Sequence, residues 1–306
     1  MNRLEVSLLL REQHFEAAGN GLADLLERVA AAGLDGVAAG DHLVFQGSGS
    51  DGLISAAALL AAHPSLRVKT AIYLLPLRHP VVVARQLATL AEISPGRFTF
   101  GVGVGGEDPA EYAAAGVPHR ERGARADEAL ALLEKLRTGA EVTHRGRFFD
   151  LDAVAIRPAI PDLRVLVGGR SDAALTRAAR FGSGWIGVWV SVRRFAEATA
   201  LVEEKAAAIG RTGVDWRHEH QGWCFFDRDA AAARRRAELV MGKSYGIPFE
   251  SFERYTLCGT PEDVAGGLRP LLEAGCRSFN LVADGRGLDE VVEGAGRVRE
   301  IIVGWL

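Results

Sequence analysis

The sequence predicts a (β/α)₈ barrel, an α/β fold, from three observations. Short apolar runs alternate with longer helical patterns, the mark of βαβ units and a parallel sheet. Eight such runs fit within 306 residues, a length typical of one such barrel. The first β-to-α turn carries no Gly-x-Gly-x-x-Gly phosphate fingerprint, which counts against the alternative, a doubly wound open sheet.

The elements follow in order. Leu4–Leu10 reads as the first strand, and Leu22–Ala32 as its helix, closed by Gly33. Leu34–Ala39 is the second strand and ends at Gly40, Asp41 and His42, with a helix over Ile54–Ala62. Leu66–Leu75 is the third strand and Pro80–Ile93 its helix; Arg97–Gly103 is the fourth, and Arg122–Arg137 its helix, stopped at Gly139. Glu141–Asp150 interrupts the rhythm and reads as a hairpin turning at Arg145-Gly146. Leu163–Val167 and helix Asp172–Phe181 resume it, then Trp185–Val190 with Arg194–Ile209, and Glu219–Phe226 with Ala230–Val240. In the next helix, Thr260–Ala274, Thr260 is the cap, Pro261 takes the first position and Gly275 ends it. Arg277–Ala283 and Leu288–Ile302 are the eighth strand and closing helix. The chain therefore reads as a single domain, 1–306, with insertions near 43–53, 141–150 and 245–258. The Gly/Ser-rich loop Val44–Gly52 reads as mobile, and the aromatic-bearing stretch Tyr245–Cys258 as a loop of the kind that forms lids.

Bulk properties narrow the function. A net charge of −3 is too near neutral to argue for nucleic acid or a membrane surface as partner, and 48% apolar content supplies a large core. Three scattered cysteines without a C-x-x-C pair argue against a disulfide framework and against structural zinc. With no segment of membrane-spanning length and no signal-peptide core, the expected setting is cytoplasmic.

Arg97–Gly106 is the most informative stretch. Phe98, Phe100, Val102 and Val104 alternate with Thr99, Gly101, Gly103 and Gly105, so one face of the strand is bulky and the other nearly bare. Glu107 follows at its end. The bare face reads either as the floor of a site for a flat ligand or as a tight barrel bend.

Active sites of such barrels lie at the C-terminal ends of the strands. That rule gathers Asp41 and His42, Ala71–Leu75, Gly103–Glu107, Gly168–Ser171, Trp189 and Asp284. His42 is the best general acid/base candidate because imidazole titrates near neutrality; the alternative is an ordinary loop histidine. Asp41 beside it points elsewhere if the strand continues, so the two are not read as a dyad. His14, His63, His144, His218 and His220 read as surface residues, and His79, before Pro80, as structural. Gly168-Gly169-Arg170-Ser171 follows a strand and opens a helix, which suits a phosphate held by backbone N–H groups, Arg170 and the Ser171 hydroxyl. The same residues also fit a plain capped turn. With no metal-type cluster and no Gly-x-Ser-x-Gly elbow, chemistry is expected to reside in an organic cofactor. Phe45, Trp189, Phe249, Phe252 and Tyr255 suggest an apolar substrate pocket, or equally loop anchors or a dimer surface.

Several motifs together resemble the bacterial-luciferase-like superfamily. They are Pro95-Gly96-Arg97-Phe98 leading into Gly101-Val102-Gly103, Leu75-Pro76-Leu77-Arg78-His79-Pro80, Gly116-Val117-Pro118, Gly146-Arg147-Phe148-Phe149, Val167–Ser171, Gly182-Ser183-Gly184-Trp185 and Gly259-Thr260-Pro261-Glu262. Within it the chain looks most like the oxidoreductases that use coenzyme F420, an 8-hydroxy-5-deazaflavin. FMN-dependent two-component monooxygenases are the alternative, and a non-catalytic flavin-binding homologue the second. The resemblance implies a (β/α)₈ barrel and a homodimer formed through the helices after strands two and three. It implies hydride transfer at the deazaflavin C5 to or from a small, fairly apolar substrate, an alcohol/ketone, imine or activated alkene. It makes His42 the acid/base and Glu107 the carboxylate near ring and substrate. Asp41, Gly103, Gly105, Gly106, Gly168, Gly169, Arg170 and Ser171 become cofactor contacts. A non-proline cis peptide at Ala71-Ile72 would lie against the middle ring.

Overall fold

The computed structural model describes residues 4–19, 21–45, 49–106 and 108–306. Glu107 and part of the Gly/Ser-rich loop, residues 46–48, lie outside them. The elements in chain order are β1 (Glu5–Leu10), α1 (Glu12–Ala18), α2 (Leu22–Ala31), β2 (Gly36–Ala39), α3 (Gly52–Ala62), β3 (Arg67–Thr70), β4 (Tyr73–Leu74), α4 (Pro80–Ile93) and β5 (Phe98–Gly103). There follow α5 (Pro109–Ala114), α6 (Arg122–Leu136), β6 (Val142–Arg145), β7 (Asp150–Val154), β8 (Arg164–Gly168), α7 (Asp172–Phe181), β9 (Gly184–Val188) and α8 (Val192–Ala208). The chain finishes with β10 (Glu219–Phe226), α9 (Ala230–Tyr245), β11 (Thr256–Gly259), α10 (Pro261–Glu273), β12 (Ser278–Asp284) and α11 (Leu288–Val303). The architecture is a (β/α)₈ barrel of parallel strands, with β6 and β7 as an antiparallel hairpin outside the sheet.

Two compact units make up the chain. The first comprises Met1–Ala38, Ile186–Leu201 and Arg217–Leu306. Within it β12 pairs in parallel with β1 on one side and with β10 on the other. The other edge of β10 is shared. Its first residues pair with β9, Glu219↔Ile186 to Gln221↔Val188, and its last with β11, Trp223↔Thr256 to Phe226↔Gly259. β11 is a strand that the sequence did not disclose. Together with α9 running on to Tyr245 and two short 3₁₀ turns, it replaces the loop expected over 245–258.

The second unit comprises Ala39–Trp185 and Val202–Trp216. Here β3 and β4 both pair with β5, and β5 pairs with β8. The third barrel strand is thus two pieces rather than the single run expected, and the break falls at Ala71–Ile72, whose peptide bond is cis, as the resemblance implies. The nearly bare face of β5 is not left open. A Cβ on Gly103 would strike Ile72 Cδ1, and one on Gly168 would lie 3.0 Å from Ile72 Cγ2. Glycine at both positions lets one isoleucine from the neighbouring segment cover the strand ends. What lies over these strand ends is therefore the Ile72 side chain, not exposed glycine backbone.

Two short helices, α1 and α5, also went unanticipated, and the hairpin runs on to Val154. Glu128 holds the hairpin turn by accepting from the Arg147, Phe148 and Phe149 amides and from His144. The surface assignment fails for three of the five histidines. His14, His63 and His220 are buried. His14 Nδ1 accepts from the Arg11 amide and His63 Nδ1 from the Leu66 amide, while His220 meets the edge of Phe195. An imidazole tied to a nearby amide can be buried without strain. Burial lowers His14, His218 and His220 to a pKa of about 4 each, so they sit neutral in the fold at ordinary pH. All three cysteines are free, and burial raises the Cys258 thiol to about 11 and Cys276 to about 12. Among the described residues no helix is long and apolar enough to cross a membrane.

Candidate active site

The end of β2 is the most tightly specified place in the second unit. Asp41 and His42 leave it in succession and their side chains diverge. The Asp41 carboxylate takes a two-pronged contact from Arg78, Nη1 to Oδ2 and Nη2 to Oδ1, each 2.7 Å. It also accepts from the Leu74 amide at 2.7 Å and the Gly52 amide at 3.0 Å. Arg78 reaches on to Asp51, which caps α3. Burial pushes the Asp41 carboxyl up, and the Arg78 charge and the two amides counter that push. Burial, the largest single influence, would lower Arg78; the Asp41 charge and hydrogen bonds, together with Tyr73 and Asp51, outweigh it and raise Arg78. With four donors on its two oxygens, Asp41 is a framework residue, joining β2, β4 and the start of α3. Any part it has in holding a cofactor runs through that framework.

His42 faces the other way. Its Nδ1 lies 3.0 Å from Glu111 Oε2, and its amide donates to Ser50 O at 3.0 Å. The Phe45 ring lies against the imidazole, centroids 4.5 Å apart. The His42 side chain is 37% exposed and Glu111 1%. Glu111 Oε1 also accepts from the Leu43 amide at 2.7 Å and the Val44 amide at 3.4 Å. Sequence reasoning did not single out Glu111. The available signal was Asp108-Pro109, a cap followed by proline, which starts a short helix just past a strand end and places Glu111 in its first turn.

The strand-end glycines and the βα turn lie in the same unit. Gly168 ends β8, and Gly169, at φ +117°, takes a backbone conformation suited to glycine. Its carbonyl accepts from Trp185 Nε1 at 2.7 Å. Ser171 caps α7 through Ala174 N, and Arg170 and Ser171 are exposed. The helix therefore offers an open N-terminus beside a glycine turn, where the backbone dipole favours an anion. After β5, Gly105 and Gly106 both have positive φ, and Gly106 runs beneath Arg122 and His119.

In the first unit the rings of Trp189, Tyr245 and Phe252 meet mutually at 4.8–5.2 Å, and Trp223 joins Tyr245 at 6.0 Å. The Arg11 guanidinium stands 5.3 Å over Trp223 and pairs with Asp284 at 2.5 Å. Trp189 directly follows β9 with φ 52°, a left-handed conformation that is costly for a bulky residue and concentrates at functional positions. Of the five expected pocket aromatics, only Trp189 and Phe252 meet here. Phe249 is buried with the Arg234 guanidinium 5.5 Å from its ring, Tyr255 stacks with Arg254, and Phe45 belongs with His42. Tyr245 and Trp223 were missed because one reads as a helix end and the other as an ordinary strand residue.

The profile of the luciferase-like monooxygenase family matches residues 6–278, and the chain belongs to that family. An uncharacterised protein of Mycobacterium tuberculosis is 39% identical over 131 residues, 42% of this chain and 45% of that protein. The F420-dependent hydroxymycolic acid dehydrogenase of the same organism is 32% identical over 160 residues, 51% of this chain and 44% of that enzyme. The chain thus spans under half the length of these curated relatives. Among solved structures, an F420-dependent secondary alcohol dehydrogenase in complex with an F420-acetone adduct superposes with a TM-score of 0.83 at 19% identity, covering 98% of this chain and 99% of that one. At that identity the likeness speaks for the fold.

Proposed function

We propose that this protein is an F420-dependent oxidoreductase acting on a small, fairly apolar alcohol/ketone, imine or activated alkene. The observation that carries the reading is His42, fixed at a strand end by Glu111 and Ser50, with no described residue bonded to its Nε2. The names of relatives such as the hydroxymycolic acid dehydrogenase support the choice of cofactor.

The residues present fit a phosphorylated, planar group. The open N-terminus of α7, with Gly168, Gly169, Arg170 and Ser171, would hold its phosphate. Ala71, Ile72, Gly103, Gly105 and Gly106 would border its ring, with Ile72 as the floor. When bound, F420 supplies a two-electron hydride couple at C5. His42 Nε2 would take the proton from a substrate hydroxyl, or return one to a carbonyl oxygen, as the hydride moves. Glu107, outside the described residues, is proposed to orient the substrate.

Titration of the apo-protein with F420 and FMN separately, followed by fluorescence, tests this. Tight F420 binding with weak FMN binding is expected. Tight FMN binding alone would replace the proposal by the two-component monooxygenase reading, which the family's description favours. The proposed homodimer has support in α3, which is apolar nearly all round and leaves Ile54 68% exposed, and in Val82 of α4, 54% exposed. Sedimentation showing a monomer would refute it.

A further inference from the structure

We propose that Glu111 is a positioning residue that fixes His42 in the tautomer with the proton on Nδ1, leaving the Nε2 lone pair as the proton acceptor. The idea builds on the function proposed above, but its structural half stands without it.

The hydrogen-bond directions force the assignment. A carboxylate only accepts, so the short contact of His42 Nδ1 with Glu111 Oε2 requires the proton on Nδ1 whenever the ring is neutral. The other oxygen, Oε1, accepts from two backbone amides, Leu43 and Val44, which cannot reverse their direction. The backbone of His42 is held by its amide bond to Ser50 O, and the imidazole packs against the Phe45 ring. Glu111 cannot swing away, being buried in a helix that starts at Asp108-Pro109 and is followed by Tyr112, whose hydroxyl donates to Val104 O. One carboxylate thus orients the histidine and pins the first residues of the loop that follows it. A second ring nitrogen is held in a defined state by the bond its partner makes.

This geometry gives an asymmetric test. In Glu111→Gln the amide keeps the size of the side chain but has only one acceptor oxygen. The Leu43 and Val44 amides, both donors, claim that oxygen, and the NH₂ group is turned towards His42. Nδ1 must then accept, and the proton moves to Nε2. The ring nitrogens of His42, read by ¹⁵N NMR at a pH where the ring is neutral, report the tautomer directly. Expected are Nδ1–H in the natural protein and in Glu111→Asp, which keeps an acceptor-only group, and Nε2–H in Glu111→Gln. Turnover in the direction that needs a base should fall about 10²–10⁴-fold in Glu111→Gln, with F420 affinity unchanged and partial recovery in Glu111→Asp. Nε2–H in the natural protein, or an unaltered ring in Glu111→Gln, would overturn the assignment. If the natural protein shows Nδ1–H but no turnover with F420, the clamp stands and the functional proposal falls. Nδ1–H that inverts in Glu111→Gln while turnover holds would show that the clamp exists but that the reaction does not use it.

Discussion

The polar end of β2 and the aromatic cluster after β9 specify their positions by opposite means. Around Asp41 and His42, hydrogen-bond direction decides: fixed N–H donors meet carboxylates that can only accept, and exchanging one atom reverses a proton's location. Around Trp189 the rings meet at tilted and edge-on angles without a donor–acceptor requirement between them, so size and shape decide. The contrast teaches where function is brittle. A polar site fails on an isosteric change, whereas an aromatic cluster tolerates one.

The sharpest break is expected from His42→Ala, which under the proposed mechanism lowers turnover about 10²–10⁴-fold while F420 binding persists; unaltered steady-state rates would remove His42 from the chemistry. Next comes Arg78→Met. It leaves Asp41, whose side chain is fully buried, without its counter-charge, and should cost about 3–5 kcal/mol in denaturant unfolding. Acid weakens the fold through the buried histidines. His14 and His220 have a pKa of about 4 in the fold, against the ordinary 6.5 when unfolded. Above 6.5 neither state takes up a proton. As pH falls from 6.5 to 4 the unfolded chain binds protons that the fold refuses, so stability drops by roughly 1.4 kcal/mol per unit for each group and then levels off. Melting curves across that window should show the fall, and His220→Gln should make it shallower, with His14 and His218 still contributing. Gly103→Ala drives a methyl into Ile72 and should cost about 1–3 kcal/mol, visible as a lowered Tm. The smallest effect belongs to the aromatic side: Trp189→Phe should change stability by less than about 1.5 kcal/mol, read as a small shift in Tm.

The order of strands and helices was legible because alternation and 3.6-residue periodicity are local. The Thr260 cap is an example, found as a reciprocal pair with Asp263. What lay over the β5 glycines was not legible. Their smallness announces a close approach, but the visitor at Gly103, Ile72, comes from the break between β3 and β4. Glu111 escaped for a related reason. Its local pattern is that of an ordinary acidic residue in a first helical turn, and only the meeting of α5 with the chain after β2 gives it His42. β11, four residues reading Thr-Leu-Cys-Gly, is too short and too mixed in polarity to stand out.

The divided edge of β10 has an architectural consequence. Phe226 ends β10 beside Gly259, while β11 begins at Thr256 beside Trp223, so the excursion through α9 leaves at one end of the paired segment and returns at the other, as a parallel crossover must. Such an excursion is a cassette. Residues 228–255 take no part in the β10–β12 ladder, whose register runs from Glu219 to Phe225. Since Tyr245 and Phe252 travel within that cassette, a lineage of such proteins could exchange one face of its aromatic surface in a single recombination event and inherit the scaffold unaltered.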